Sequence, residues 1–397
     1  MSRIDGSPGT AEQSPCAAAM LPLDQASSLP AACYTSQAFF DAEMTHIHRR
    51  GWFLAGRADE WPKPGDYRAI ETVGGPVLVI RDKTGGLGAF ANVCRHRGSP
   101  LLTGEGTCRA IVCPYHGWGY ALDGRLVGAP DMPPPGQFDQ PGQFDQPGQF
   151  DYAKNGLVPV RLEQWAGFVF LTFDEAAPPL LAQLGDLPAT FRDHHPEDMI
   201  CTWREDIETD CNWKLLLENA LESYHTSLVH AKTVGTQHSE SIVTQGGWQA
   251  IQVISERSTA VLGDAPPPFP PIEGLGAAAR RGTYFTLIHP TTQFAVAQDC
   301  LWWLAVRPVA PDRSVLSLGG CFPAATTRRP DFEREALAYY DRWHRVALED
   351  VGMLASQQRG LTSILHRPGP LSWRDDQVHR FGRWVLGQVP AELWPLR

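Results

Sequence analysis

The chain has 397 residues, 43% of them hydrophobic and 20% charged, with a formal net charge of −10. That length suits two domains, and that apolar share suits a sizeable core. The acidic balance argues against nucleic acid or an anionic membrane as partner, because both select basic patches. No apolar run reaches the about 18 residues of a membrane span. The opening MSRIDGSPGTAEQSPC lacks a charged stretch followed by an apolar one, so the expected location is cytoplasmic.

Residues 1–32 are rich in Ala, Ser and Pro without periodicity and read as a disordered tail. Residues 36–50 are helix-like. Short β-type runs follow at 52–55, 67–71, 76–80 and 89–92, broken by Gly and Pro, which predicts a small antiparallel β domain over 33–173. Inside it, residues 136–151 read GQFDQPGQFDQPGQFD, a tandem six-residue unit too short and polar for a solenoid and expected to be a surface loop. Residues 174–397 form the second domain. Its residues 211–224 are helix-like, and strands are expected at 247–256, 282–288, 294–307 and 314–321. One long helix is expected at 331–358, capped by Asp331 and stopped by Gly360. Grouped strands with helices at either end define an α+β pattern.

Of nine cysteines, only Cys94 and Cys113 sit beside histidines at ligand spacing. An odd count in a long chain argues against a disulfide framework, and the other seven read as packing residues. The pattern is Cys94-x-His96, sixteen residues, then Cys113-x-x-His116. Two thiolates and two imidazoles can hold a structural zinc or an iron–sulfur cluster. Zinc fingers usually pair Cys with Cys and His with His, whereas here each loop supplies one of each. That alternation suits a two-iron cluster with both sulfurs on one iron and both imidazoles on the other.

A second constellation lies in NWKLLLENALESYHTSLVH, residues 212–230. His225 and His230 are five apart, about 140° on a straight helix, so the helix must end or bend after His225 for both to reach one metal. A carboxylate would complete the facial triad of oxygen-activating iron. Glu349 and Asp350 are the candidates. Glu349 shares a polar face with Arg342, Arg345 and Ser356, and reads as an exposed ion-pair partner. Asp350 shares an apolar face with Trp343, Val346 and Ala347. A lone carboxylate there is costly unless it binds a cation, so Asp350 is the expected third ligand. Glu222, at i−3 from His225, lies on the same side of the helix and reads as an orienter of that ligand.

CRHRG together with CPYHGW resembles the Rieske motif of ring-hydroxylating and related oxygenases, and the likeness extends over about residues 36–390. It implies an N-terminal antiparallel β Rieske domain and a C-terminal helix-grip-like α+β catalytic domain. It also implies a [2Fe-2S] cluster on Cys94, His96, Cys113 and His116, a mononuclear Fe(II) and a homotrimer. In such oxygenases an acidic residue placed like Glu222 links the iron histidine to a Rieske histidine across subunits, which here means His225 and His116 of the partner subunit. Asn219 would line the iron pocket. NWKLLLENALESYH, EDVGMLASQQRGL and RPGPLS look most like the branch of choline, carnitine and glycine betaine monooxygenases and stachydrine demethylase, although Ser223 and Thr226 stand where that branch commonly carries Cys.

The resemblance implies O2-dependent hydroxylation or N-demethylation of a small quaternary ammonium or betaine-like substrate, with hydroxylation of an aromatic acid as the alternative. The chain has no GxGxxG after a strand and no P-loop, so a separate NAD(P)H-dependent flavin/iron–sulfur reductase is required. The pocket is expected along 284–303. There the face of Trp302 or Trp303, at most one of the two, could hold an ammonium by cation–π attraction. A Rieske ferredoxin would leave the second constellation unused, and a zinc hydrolase the first.

Overall fold

The computed structural model describes residues 14–132, 150–263 and 266–395. Most of the hexapeptide repeat, 136–149, lies outside them. The described residues fall into two compact units, one made of Ala55–Gln164 and Phe168–Glu175 and the other of the remainder.

In the smaller unit, β1 (Phe53–Arg57), which begins just ahead of it, is followed by β2 (Asp66–Thr72), β3 (Gly75–Arg81), β4 (Leu87–Ala91) and β5 (Glu105–Thr107). Next come β6 (Ile111–Val112), β7 (Gly119–Tyr120), β8 (Leu126–Gly128), β9 (Arg161–Trp165) and β10 (Phe168–Thr172). They pair as β4-β3-β2-β5, β6-β7-β8 and β1-β10-β9. The apolar run of β3 is buried on both faces because the strand is central, between β2 and β4. Leu78, Ile80, Ile111, Trp118 and Tyr120 form the core beneath two loops, one between β4 and β5 and the other between β6 and β7.

The larger unit is built on a seven-stranded sheet in the order β11-β17-β16-β15-β14-β13-β12, with all neighbours antiparallel. Its strands are β11 (Met199–Thr209), β12 (Ser239–Ile242), β13 (Trp248–Ile254), β14 (Gly282–Ile288), β15 (Thr292–Val296), β16 (Leu301–Ala310) and β17 (Arg313–Pro323). The helices that matter here are α1 (Gln37–Glu43), α2 (Trp213–Asn219), α3 (Thr226–Val229), α4 (Phe332–Leu361) and α5 (Asp376–Gln388). α4 buries Phe332, Ala336, Tyr339, Trp343 and Val346 at helical spacing. Trp343 packs where β17 carries Gly320: a Cβ there would sit 1.9 Å from the Trp343 ring. Gly319, pointing to the opposite face, does the same for Trp303, at 2.1 Å. The register pairs Trp302 with Gly320 and Trp303 with Gly319, so the two tryptophans occupy opposite faces of the sheet.

The expected disordered tail is corrected for residues 14–32. Cys16, Ala19 and Leu29 are buried, Ser14 Oγ donates to Pro395 O at 2.7 Å, and His379 Nε2 meets Leu21 O at 2.9 Å. The segment is ordered by residues more than 350 positions away in sequence, a signal that local composition does not contain.

α1 and α2 are joined by a fully buried ion pair. Lys214 Nζ donates to Glu43 Oε1 at 2.6 Å and Trp213 Nε1 donates to Glu43 Oε2 at 3.0 Å. Burial raises the Glu43 pKa, and Lys214 opposes that rise. Removing one partner strands a charge without solvent, whereas replacing both with apolar residues does not. Lys214→Met alone is therefore expected to cost about 3–5 kcal/mol in denaturant unfolding, and the Lys214→Met/Glu43→Leu double variant distinctly less.

Candidate metal centres

The two loops of the smaller unit share one hydrogen-bonding pattern. Cys94 N donates to Ser99 O and Cys113 N to Trp118 O, each at 2.8 Å. Gly98 N returns to Cys94 O at 3.0 Å and Gly117 N to Cys113 O at 3.1 Å. Both glycines have positive φ, +79° and +71°, which is why each loop needs Gly four residues after its cysteine. The thiols are buried, while His96 is exposed and His116 partly so. The two imidazole rings lie 4.7 Å apart, and His96 stacks on Trp118 at 4.9 Å. Burial disfavours ionisation of the Cys113 thiol, but the N–H groups of Tyr115 and His116 outweigh it and lower the pKa. Tyr120, which the sequence reading did not single out, places its hydroxyl 3.3 Å from Cys94 Sγ and accepts from Arg95 N at 3.0 Å. Two buried thiols, that of Cys113 favoured as thiolate, with paired imidazoles nearer the surface, fit a [2Fe-2S] cluster.

In the larger unit, α2 is capped by Asn212, whose side chain accepts from Lys214 N, and ends at Asn219. The break falls before His225, not after it as expected. Past the break, the carboxylate of Glu222 accepts the N–H groups of Tyr224 and His225, taking donors that a continued helix would need. A new short helix, α3, then carries the chain round to His230.

His225, His230 and Asp350 converge, each offering a ligand atom within 4.8 Å of the others. Asp350 Oδ1 lies 3.0 Å from His230 Nε2 and 3.6 Å from His225 Nε2. Glu222 Oε1 sits 2.5 Å from His225 Nδ1, and Glu349 Oε2 sits 2.7 Å from His230 Nδ1. Carboxylates at both Nδ1 atoms favour the tautomers protonated there, leaving both Nε2 lone pairs free. Asp350 Oδ1 is buried with no hydrogen-bond partner. Three electron-pair donors thus face one another, an arrangement that a cation stabilises. Burial disfavours protonation of His230, yet Asp350 and Glu349 outweigh it and raise its pKa. The negative field that favours a second proton favours a metal ion equally. Two imidazoles and one carboxylate fit a mononuclear iron with open positions.

Glu349 is corrected. It was expected to be an exposed partner of Arg345, but Arg345 pairs with Asp341 at 2.7 Å. Glu349 instead receives His230 and the Thr233 hydroxyl, the latter at 2.7 Å. The loop carrying His230 runs beside α4 and engages two adjacent residues of it, a neighbour that helical periodicity alone does not reveal.

A cavity of about 80 Å³ adjoins the convergence, lined by Asn219, Phe285, Trp302 and Arg342 among others. Trp302 lines it and Trp303 does not, as opposite sheet faces require.

The family model of the ring hydroxylating alpha subunit (catalytic domain) matches residues 198–391, and that of the Rieske [2Fe-2S] domain matches 51–147. The chain belongs to the Rieske-type ring-hydroxylating alpha subunits, whose cofactors are a [2Fe-2S] cluster and a mononuclear iron. It is similar to the carnitine monooxygenase oxygenase subunit of Escherichia coli (strain K12), with 35% identity over 52% of this chain and 53% of that protein. It is also similar to chloroplastic choline monooxygenase of Spinacia oleracea, with 27% identity over 92% and 79%. The match to the first of these spans about half of that relative's length. A solved quaternary ammonium Rieske monooxygenase superposes with a TM-score of 0.75 at 25% identity, covering 96% of this chain and 98% of that one. Naphthalene 1,2-dioxygenase shares the fold, with a TM-score of 0.72 at 17% identity over 94% and 95%. No described helix is long and apolar enough to cross a membrane.

Loss of the Glu349 acceptor should loosen His230. Glu349→Ala is expected to lower iron affinity in the larger unit about 10- to 100-fold, read by metal titration, with the cluster absorbance unchanged.

Proposed function

We propose that the chain is the oxygenase component of a monooxygenase that hydroxylates, and so N-demethylates, a small quaternary ammonium or betaine-like substrate. It uses O2 and electrons from a separate NAD(P)H-dependent flavin/iron–sulfur reductase, and acts as a homotrimer. The observation that carries this reading is the presence, in one chain, of the paired Cys–His loops and of the convergence of His225, His230 and Asp350 on a cavity. The relatives named for carnitine and choline oxidation, and the solved quaternary ammonium enzyme, support the substrate class.

In this reading Cys94, His96, Cys113 and His116 hold the cluster, and His225, His230 and Asp350 hold the iron. When bound, these groups supply single electrons and O2 activation for attack on a C–H bond. Glu222 keeps the proton of His225 on Nδ1 and so keeps Nε2 available. The same carboxylate links His225 to His116 of the partner subunit, and a solved relative is described in terms of inter-subunit electron transfer. Glu349 and Thr233 fix the ring of His230. Asn219 and the apolar wall around Phe285 and Trp302 seat the substrate and limit water. Hydroxylation of an N-methyl group consumes O2, two electrons and two protons, and releases water. The N-hydroxymethyl product then separates into formaldehyde and the demethylated amine.

A single-turnover assay tests this. Reduced enzyme meeting O2 and N-methylated betaines should yield formaldehyde in step with methyl loss. A hydroxylated aromatic acid without formaldehyde would overturn the substrate class. Glu222→Gln should retain iron while turnover with the reductase falls at least about 100-fold, and unchanged turnover would sink the bridging role.

A further inference from the structure

Arg342 sits on α4 two turns before Asp350, about 12 Å along the helix axis. Its side chain is 5% exposed and lines the cavity. Its Nε donates to Thr259 O at 3.0 Å, and its guanidinium carbon lies 4.9 Å from the centroid of the Trp302 ring. Among the described residues no carboxylate lies within ion-pair distance of it, although Asp350 and Glu349 attract it from further off, and its Nη donors hold no hydrogen bond. A buried guanidinium is normally paired, because desolvating a charge without a partner is costly. Burial pushes its pKa down to about 10, which leaves it cationic at neutral pH.

Two consequences follow for the substrate. The face of Trp302 already carries a cation and is not free for an ammonium group. The cavity that His225 and His230 line also has Arg342 in its wall, and a guanidinium is a fork of donors suited to a carboxylate.

We propose that Arg342 is the carboxylate-binding residue of the cavity, which therefore takes a small zwitterion with its carboxylate on Arg342 and an N-methyl group towards Asp350. This rests on the amine reading above and narrows it: a betaine is favoured over an amino alcohol that lacks the carboxylate. The size fits a compact ligand, since about 80 Å³ holds only several waters at roughly 10–15 Å³ each on this measure.

The test is equilibrium binding to the anaerobic holoenzyme by calorimetry. Glycine betaine and γ-butyrobetaine are compared with their methyl esters, which keep the trimethylammonium group and lose the carboxylate charge. Benzoate and benzamide form a parallel pair. The wild-type enzyme should bind the acids about 10- to 100-fold more tightly than the esters. Arg342→Gln should reduce that ratio to within about twofold, and Arg342→Lys should keep part of it. Because the ratio compares ligands on one protein, a general loss of stability does not move it, and the wild-type comparison stands without any variant. Esters binding as tightly as acids, or a ratio unchanged in Arg342→Gln, would overturn the proposal. Discrimination of benzoate from benzamide through Arg342, with no binding of any betaine, would remove the amine reading and keep the carboxylate site. No binding of either class would overturn both.

Discussion

One constraint organises the larger unit's centre: two histidines five residues apart turn their ring nitrogens to within 4.8 Å of each other and of Asp350. An unbroken helix cannot do this, since it would turn their side chains about 140° apart. The chain meets the constraint by leaving the helix at Asn219 and restarting at Thr226. Between the two helices the Glu222 carboxylate accepts the N–H groups of Tyr224 and His225 and holds His225 through Nδ1. One side chain therefore joins the backbone of the connection to the orientation of the ring. Asp350 arrives from α4, whose own position is fixed by Trp343 packing against the bare backbone at Gly320.

The geometry of the sites was more legible in the sequence than the packing around them. The likeness of the Cys94–His96 and Cys113–His116 loops shows in their spacing because each loop is short and closes on its own hydrogen bonds, so its geometry is local. That Asp350 meets His225 and His230 was legible because an isolated carboxylate on an apolar helix face needs a reason to be there. The role of Glu349 could not be read, since it depends on a loop more than a hundred residues away lying beside α4. Residues 14–32 were misread for the same reason. Their polar, Pro-containing composition resembles a tail, and only the distant α5 and the segment after it make them part of a core. The break in the 212–230 helix was foreseen from geometry, but its position was not, because periodicity does not mark the residue at which the helical hydrogen bonds stop.

The two centres also differ in how they treat water. The Cys–His loops bury their sulfurs and show their imidazoles to solvent. The His–His–Asp convergence is walled by aromatic and aliphatic side chains, and Arg342 is the one arginine or lysine among the described residues that line its cavity. A low-dielectric wall strengthens every charge interaction inside it, so a single guanidinium there weighs more than several on the surface would.

The order of the units along the chain has a consequence for biosynthesis. The smaller unit is nearly contiguous, whereas the larger is assembled from residues on both sides of it. As the chain emerges from the ribosome, the smaller unit is complete while over half of its host is still unmade. The segment around Cys16 and Leu29 must then stay solvated until α5 and Pro395 exist to receive it. Contacts of such long sequence separation are slow to close. The last stretch of chain to be made is therefore needed to complete the larger unit and not the smaller.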